Sequence, residues 1–224
     1  MTPFPRRAGQ WDVDRLALSA QSAHDLELLT GSQRKVRIFA PTASAIVLGS
    51  TQRDDIVDRD VVASHGFEVA RRRSGGGAVL VDTSVVWIDF AIARDDPLWD
   101  DDIARSMQWL GALWSRALSS VGIDARVHQG PPIVSELSHT ICFCGIGYGE
   151  VEVDGRKAIG VSQRRTRNGA RFQTMLITRR DDTLIDALRL EDRNDARLKY
   201  AAAVYVCDRS PRSVVDALIE QLSA

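Results

Sequence analysis

The stretch RRRSGGGAVLVD, residues 71–82, constrains the fold most strongly, because three consecutive glycines separate a cluster of arginines from an apolar run. Glycine loses more conformational entropy on folding than any other residue, so a run of three is typical of a special backbone conformation or a close approach to another group. The segment is either a hairpin or bulge turn with solvated arginines, or a backbone whose amides and neighbouring arginines face an anionic ligand. It is not a P-loop, since no Gly-Lys-Ser/Thr follows at the required spacing.

The composition excludes several classes of protein. A length of 224 residues fits one domain, so we expect residues 1–224 to form a single domain. The formal net charge of −1 lacks the basic excess of a nucleic-acid-binding protein. Three cysteines without regular spacing argue against a disulfide framework. No apolar run approaches the length that spans a membrane and the first residues contain no signal region, so we expect a cytoplasmic protein.

Two residue types are scarce. The only lysines are Lys35, Lys157 and Lys199, against 26 arginines. The four histidines, His24, His65, His128 and His139, lack metal-ligand spacing, so we expect them at the surface or at helix ends and predict no metal site formed by the protein's own residues.

Hydrophobic periodicity predicts an α+β domain built on a mostly antiparallel sheet with flanking helices. Helical spacing is found at residues 12–30, 54–65, 100–121, 182–190 and 210–223. Strand patterns occupy residues 35–40, 44–50, 66–72, 77–82, 85–92, 124–129, 150–165 and 170–179. We expect 77–82 to pair with 85–92 as a hairpin, and the chain within 150–165 to turn at Asp154 and Gly155.

A second stretch, DGRKAIGVSQRRTR at residues 154–167, places Lys157 on a strand just after this turn. On a regular strand Lys157, Ile159 and Val161 share one face, so the lysine is partly desolvated unless it reaches solvent or holds a partner. The other interpretation is a lysine on an edge strand that discourages aggregation. Two strands rich in arginine and glycine within one small domain favour a shared anionic site.

In this order, PTASAIVLGSTQ (41–52), RRRSGGGAVLVD (71–82) and DGRKAIGVSQRR (154–165) resemble the lipoate–protein ligase family, which shares its catalytic fold with biotin–protein ligases and octanoyltransferases. The core of the resemblance covers residues 30–190. Larger ligases of this family carry a C-terminal accessory domain, whereas residues 191–224 predict only a short helical segment. A separate accessory subunit would then supply what is missing.

The resemblance implies that the chain attaches a lipoyl or octanoyl group to a lysine of a lipoyl-domain or H-protein-type acceptor through an acyl-adenylate. It also implies ATP as a substrate and Mg²⁺ as a bridge between phosphates. Lys157 would be the catalytic cation that stabilises the charged transition state. The residues expected to line the ligand are Arg72, Arg73, Ser74, Gly75, Gly76, Gly77, Asp82, Gly160 and Gln163. Asp82 would bind Mg²⁺ or orient the ligand, unless it only forms a turn at the end of a strand.

Two other functions stay open. Cys142 precedes Lys157 by fifteen positions, an arrangement similar to that of cysteine octanoyltransferases of the same fold, which take the acyl group as a thioester and need no ATP. Cys142 is otherwise a small buried apolar residue. Gly77 favours the ligase, because those transferases usually carry an arginine there. The third function is non-catalytic binding of an acyl group or its adenylate, since Val81 and Phe172 stand where many relatives have histidines.

Overall fold

The computed structural model of the chain describes residues 11–223. Within that range the helices are α1 (Ala20–Asp25), α2 (Arg59–Ser64), α3 (Gln108–Ser120), α4 (Thr183–Ala187), α5 (Arg193–Ala203) and α6 (Pro211–Ser223). The strands are β1 (Asp12–Leu18), β2 (Lys35–Pro41), β3 (Ala45–Leu48), β4 (Glu68–Arg71), β5 (Val79–Val81), β6 (Val85–Ala93), β7 (Arg126–Val127), β8 (Val151–Val153), β9 (Arg156–Thr166) and β10 (Gly169–Ile177). Residues 1–10, for which the sequence predicts no signal region, lie outside the described residues. None of the helices in the described range is both long enough and apolar enough to cross a membrane.

The strands form two sheets. The larger has the order β1-β2-β6-β10-β9-β8-β7, and every neighbouring pair is antiparallel except β1 and β2. The smaller has the order β4-β3-β5, with β3 parallel to β4 and antiparallel to β5. The predicted α+β class with a mostly antiparallel sheet and flanking helices is confirmed.

Strand β6 lies inside the larger sheet, and all nine of its residues are buried. Because side chains alternate between the two faces of a strand, Val86, Ile88 and Phe90 join a core formed with α3 and α6. Val85 and Trp87 join a second core, which the larger sheet shares with the smaller one. The larger sheet therefore separates two cores, and the second core lies on the side where the two sheets face each other.

The predicted helix over residues 12–30 is wrong. Residues 12–18 form β1, which is hydrogen-bonded to β2 over its whole length, and the helix is confined to α1. Ser19 caps α1, since its side chain accepts a hydrogen bond from the backbone N–H of Ser22. Val13 and Leu16 have helical spacing, whereas Leu16 and Leu18 are two positions apart, which suits a strand. The long-range pairing with β2 decides for the strand.

The predicted hairpin between residues 77–82 and 85–92 is also wrong, because β5 belongs to the smaller sheet and β6 to the larger. The chain passes from one sheet to the other at Asp82, whose Oδ1 accepts a hydrogen bond from the backbone N–H of Ser84 at 2.7 Å. Asp82 thus forms a local turn between two layers. By contrast, the turn at Asp154 and Gly155 is confirmed and joins β8 to β9.

A bulge in β9 decides where Lys157 points. The pairing of β8 with β9 shifts by one position, which leaves Ala158 as an extra residue on β9. The side chain of Lys157 consequently lies on the face of Gly160, where a Cβ would be 3.3 Å from Lys157 Cε, while Ile159 joins the opposite core. The predicted common face of Lys157, Ile159 and Val161 is therefore wrong. The edge-strand interpretation is wrong as well, because β9 lies between β10 and β8.

A buried ion pair fastens α1 to the larger sheet. Arg171 of β10 is 4% exposed, and its guanidinium lies 2.5 Å from the carboxylate of Asp89 on β6. Burial raises the pKa of Asp89, and the positive charge of Arg171 opposes this effect. The guanidinium also donates hydrogen bonds to the carbonyl oxygens of Ala23, His24 and Leu26 at the end of α1. The pair therefore fixes the end of α1 against the sheet.

Replacing Arg171 by methionine should lower the free energy of unfolding by about 3 kcal/mol or more, because a buried carboxylate loses its partner. The exposed pair of Arg53 and Asp55, 2.5 Å apart, provides the control. Arg53→Met should leave the free energy of unfolding unchanged within error, since exposed ion pairs contribute little. Urea titration of both variants measures their free energies of unfolding. Equal losses of stability in the two variants would contradict a stabilising role for the buried pair of Arg171 and Asp89.

Candidate active site

A cavity of about 280 Å³ opens between the two sheets. Its wall is mostly apolar and includes Val47, Val79 and Val81 from the smaller sheet and Trp87 and Met175 from the larger. An apolar cleft with a few polar groups is typical of a small-molecule site. The main polar and reactive side chains that line it are those of His24, Arg72, Cys142, Glu150, Lys157 and Gln173.

The glycine run forms one wall of this cavity, and Arg72 braces it. Gly75, Gly76 and Gly77 all line the cavity. The guanidinium of Arg72 donates hydrogen bonds to the carbonyl oxygens of Gly75 at 2.9 Å and Gly77 at 2.8 Å. Arg72 is 5% exposed and forms no ion pair with any of residues 11–223. Burial lowers its pKa, and Cys142 acts in the opposite direction. Among residues 11–223, no carboxylate therefore pairs with the Arg72 guanidinium, which lines the cavity.

The glycines serve the protein's own packing as well as the cavity. A Cβ on Gly77 would lie 2.6 Å from the backbone nitrogen of Ile141, so only glycine fits there. Gly76 has φ +103°, a conformation that favours glycine. A Cβ on Gly75 would meet no atom within 4 Å. Gly77 is therefore needed for packing, whereas Gly75 borders open space.

Lys157 is held by an ion pair inside the protein. Its side chain is 4% exposed and the Nζ lies 2.7 Å from Oε1 of Glu150, whose side chain is 6% exposed. The Nζ also donates a hydrogen bond to the backbone carbonyl of Cys142 at 3.1 Å and lies 5.3 Å from the centre of the Phe143 ring. Burial opposes the charged form, but the negative charges of Glu150 and Cys142 outweigh it and raise the pKa of Lys157.

Glu150 is a site residue that the sequence analysis did not single out. Its carboxylate accepts hydrogen bonds from the backbone N–H of Gly147 at 2.7 Å and of Val161 at 2.9 Å. Glu150 and Glu152 are alike in the EVEV pattern, yet only Glu150 is buried. The distinction depends on the local pairing of β8 with β9, which the strand pattern does not reveal.

Two cysteines follow Ile141 in a 3₁₀ turn, with different surroundings. Cys142 lines the cavity and is partly exposed. Cys144 is buried, and this burial raises the pKa of its thiol to about 12. Of the two, Cys142 is therefore the candidate nucleophile, and Cys144 is an inert neighbour.

His24 enters the cavity from the last turn of α1, where it is 6% exposed. A helix-end position agrees with the sequence, but burial at a cavity was not predicted. Burial and the positive charges of Arg171 and Arg72 lower the pKa of His24 to about 3, so the imidazole is neutral. Its Nδ1 lies 2.9 Å from the side-chain nitrogen of Gln173. Gln173 and His24 both line the cavity and lie in contact there.

Four predicted ligand-binding residues lie outside the cavity wall. Arg73 pairs with Asp25 at the surface, 3.5 Å away, and the side chain of Gln163 forms a hydrogen bond with Ser106. The carboxylate of Asp82 accepts a hydrogen bond from the backbone N–H of Ser84 and lies 3.1 Å from the guanidinium of Arg179. Ser74 is buried behind the loop, where its hydroxyl contacts Ser162 at 2.9 Å and Gln173 at 3.0 Å. Gly160 does line the cavity.

The predicted Mg²⁺ has no group of protein ligands here. Among residues 11–223, no cluster of three or more His, Cys, Asp or Glu side chains is arranged to hold a metal ion. Asp82, the one residue suggested as a ligand, is already engaged by Arg179.

Comparison with known protein families gives a match over most of the chain. A family model described as the lipoyl protein ligase A/B catalytic domain matches residues 15–206. The curated relatives include the octanoyltransferase LipM of Clostridioides difficile, 27% identical over 58% of this chain and 48% of its own length. LipM of Moorella thermoacetica is 29% identical over 69% of this chain and 58% of its own length. The matched part of the chain thus spans about half of these relatives.

Solved structures show the same fold at low sequence identity. A bipartite lipoate protein ligase from Thermoplasma acidophilum, described together with its E2 lipoyl domain, has a TM-score of 0.75 and 19% identity over 96% of this chain and 82% of its own. A lipoate-protein ligase A bound with ATP has a TM-score of 0.73 and 20% identity, over 96% of this chain and 84% of its own.

The two glycines at the ends of the run should respond differently to substitution. Gly77→Ala should lower the free energy of unfolding by about 1–3 kcal/mol, because the added methyl group overlaps the backbone of Ile141. Gly75→Ala is the matched control and should change stability little, since nothing lies near its Cβ. Urea titration distinguishes them, and similar stabilities of the two variants would refute a packing role for Gly77.

The ion pair predicts that Lys157→Met alone is strongly destabilising, because it leaves Glu150 buried without its partner. The expected loss is about 3 kcal/mol or more. Adding Glu150→Gln in a double variant should recover most of that loss, since no buried charge remains. Thermal or urea unfolding tests this, and a double variant less stable than Lys157→Met would argue against the pair.

Proposed function

The chain belongs to the lipoyl protein ligase A/B catalytic domain family, and from this premise we propose that it transfers an octanoyl group to a lysine of a lipoyl-domain protein through a thioester on Cys142. The observation that carries the proposal is the position of Cys142, which lines the cavity beside two cations, Lys157 and Arg72. The names of the curated relatives support octanoyl transfer as the reaction.

The first step would load the enzyme. The Cys142 thiolate attacks the carbonyl carbon of an octanoyl thioester, a new carbon–sulfur bond forms, and the carbon–sulfur bond to the donor breaks. The donor departs as a thiolate, which takes a proton from water. A thiolate is the reactive form of cysteine, and nearby positive charge favours it. Lys157 and Arg72 supply that charge, while the apolar walls formed by Val47, Val79 and Met175 suit a hydrocarbon chain.

The second step would transfer the acyl group. The amine of the acceptor lysine attacks the Cys142 thioester, an amide bond forms, and the carbon–sulfur bond to Cys142 breaks. The proton lost by the amine goes to the departing Cys142 sulfur or to water. An ammonium group has three N–H donors, and those of Lys157 contact Glu150 and the carbonyl of Cys142. A remaining N–H is available to the oxyanion of the tetrahedral intermediate, where a fixed donor acts most strongly.

The acyl-adenylate route, with ATP and Mg²⁺, is the alternative that the sequence favoured. Two sequence features favour it: Gly77, the third glycine of the run, and arginines such as Arg73 and Arg165, whose charge suits a phosphate. Gly77 has a packing reason to be glycine. Arg73 pairs with Asp25, and Arg165 donates to backbone carbonyls of the segment before α3. With these groups engaged elsewhere, the thioester route is the better supported one.

The proposed acceptor is a lipoyl-domain protein, and a separate accessory subunit would assist the transfer. A lipoyl-domain acceptor agrees with the partner named for the Thermoplasma acidophilum structure.

A non-catalytic acyl-binding protein would need the cavity but not a reactive thiol. The buried pair of Lys157 and Glu150 beside Cys142 therefore argues for catalysis.

Mass spectrometry after incubation with octanoyl carrier protein or an octanoyl thioester, without ATP, tests the proposal. We expect one octanoyl group on Cys142 that hydroxylamine removes. Cys142→Ser should abolish this adduct, whereas Cys144→Ala, the matched control, should retain it because Cys144 is buried. An adduct that requires ATP, or one that survives in Cys142→Ser, would refute the thioester route.

A further inference from the structure

The contacts of Glu150 single it out among the residues around the site. Its two carboxylate oxygens have different partners: Oε1 contacts the Lys157 ammonium at 2.7 Å and the N–H of Val161, and Oε2 accepts from the N–H of Gly147. The side chains of Lys157 and Glu150 are only 4% and 6% exposed. The two backbone donors hold the Glu150 carboxylate in place. The carboxylate is therefore fixed against the Lys157 ammonium.

Among residues 11–223, several titratable side chains act electrostatically on Lys157. They include Glu150 before β8, Cys142 and Cys144 in the 3₁₀ turn, and Arg72 after β4. The thiol of Cys144 stays protonated because burial raises its pKa to about 12. Arg72 opposes the ammonium form, and Glu150 and a Cys142 thiolate favour it. When Cys142 carries an acyl group its negative charge is gone, and Glu150 is the carboxylate that remains in contact.

We infer that Glu150 is a positioning residue that keeps Lys157 in its ammonium form throughout the cycle, so that Lys157 acts as a fixed positive charge and not as a base. This inference rests on the proposed thioester route. When the acceptor amine attacks acyl-Cys142, the nitrogen–carbon bond forms and the carbon–sulfur bond breaks. The proton lost by the amine goes to the departing Cys142 sulfur or to water. Lys157 donates a hydrogen bond in both steps and exchanges no proton.

The scarcity of lysine makes the first measurement direct. With only three lysines in the chain, Lys35, Lys157 and Lys199, the ¹³Cε signals of ¹³C-labelled protein can be assigned by comparison with Lys157→Arg. In the wild type, the Lys157 signal should stay at its ammonium position from about pH 6 to pH 10. In Glu150→Gln, burial acts without the opposing carboxylate, and Lys157 should titrate at least about one pH unit below its ordinary value near 10.4.

The pH dependence of octanoyl-Cys142 formation is the second measurement. Glu150→Gln should lower the pH at which the rate declines on the alkaline side, and Glu150→Asp should restore part of the wild-type profile. Glu152→Gln is the matched control, because Glu152 is an acidic residue of β8 opposite Lys157 in the ladder and outside the cavity wall. It should leave the profile unchanged.

Three results would overturn the inference. They are titration of wild-type Lys157 at or below its ordinary value, a uniform loss of rate in Glu150→Gln without a shift of the alkaline limb, and a faster reaction of Glu150→Gln at high pH. The last result would make Lys157 a base. Absence of any adduct on wild-type Cys142 would instead refute the proposed function, and the titration of Lys157 would still decide the role of Glu150.

Discussion

The buried ion pair of Lys157 and Glu150 is the interaction on which the site depends. Burying two charges is costly, and their attraction offsets the cost only when geometry and additional hydrogen bonds are good. Here two backbone amides complete the contacts of Glu150, and the carbonyl of Cys142 completes those of Lys157. The pair therefore joins three segments, the turn that holds Cys142, the loop before β8, and β9. A change in any of them would move the cation relative to the thiol, so the position of the nucleophile and the stability of this region are linked.

Much of the fold follows from local sequence patterns, and the exceptions have physical reasons. The turn at Asp154 and Gly155 and the long strand after it were predicted because turn residues and strand periodicity agree there. Apolar residues within 12–30 fall near helical spacing, which predicts a helix there, but residues 12–18 pair with β2, which lies beyond α1 in the chain. No local pattern reveals that long-range pairing. Within the site, the sequence pointed to Lys157 and the glycine run, but it missed Glu150. The contact between Lys157 and Glu150 requires a bulge at Ala158, and no local pattern marks a bulge.

The arginine cluster and glycine run show how one motif combines structural and chemical roles. Adjacent residues of an extended chain point to opposite sides, so Arg72 turns inward to brace the loop while Arg73 remains at the surface. Sequence alone cannot tell which of the two faces the cavity. Likewise Gly77 is required by the neighbouring backbone, whereas Gly75 borders open space. The arginine cluster and glycine run resemble a phosphate-binding motif, but in large part they hold the two sheets and the Cys142 turn around one apolar cavity.

On the proposed route the thioester on Cys142 is an intermediate and not a by-product. The most direct test is a chase: octanoylated protein is freed of its donor and mixed with a lipoyl-domain acceptor in the absence of ATP. We expect the octanoyl group to leave Cys142 at the rate at which it appears on the acceptor lysine, and in equal amounts, as followed by mass spectrometry of both proteins. Retention of the group on Cys142, loss to free octanoate without acceptor modification, or transfer only after ATP is added would contradict it.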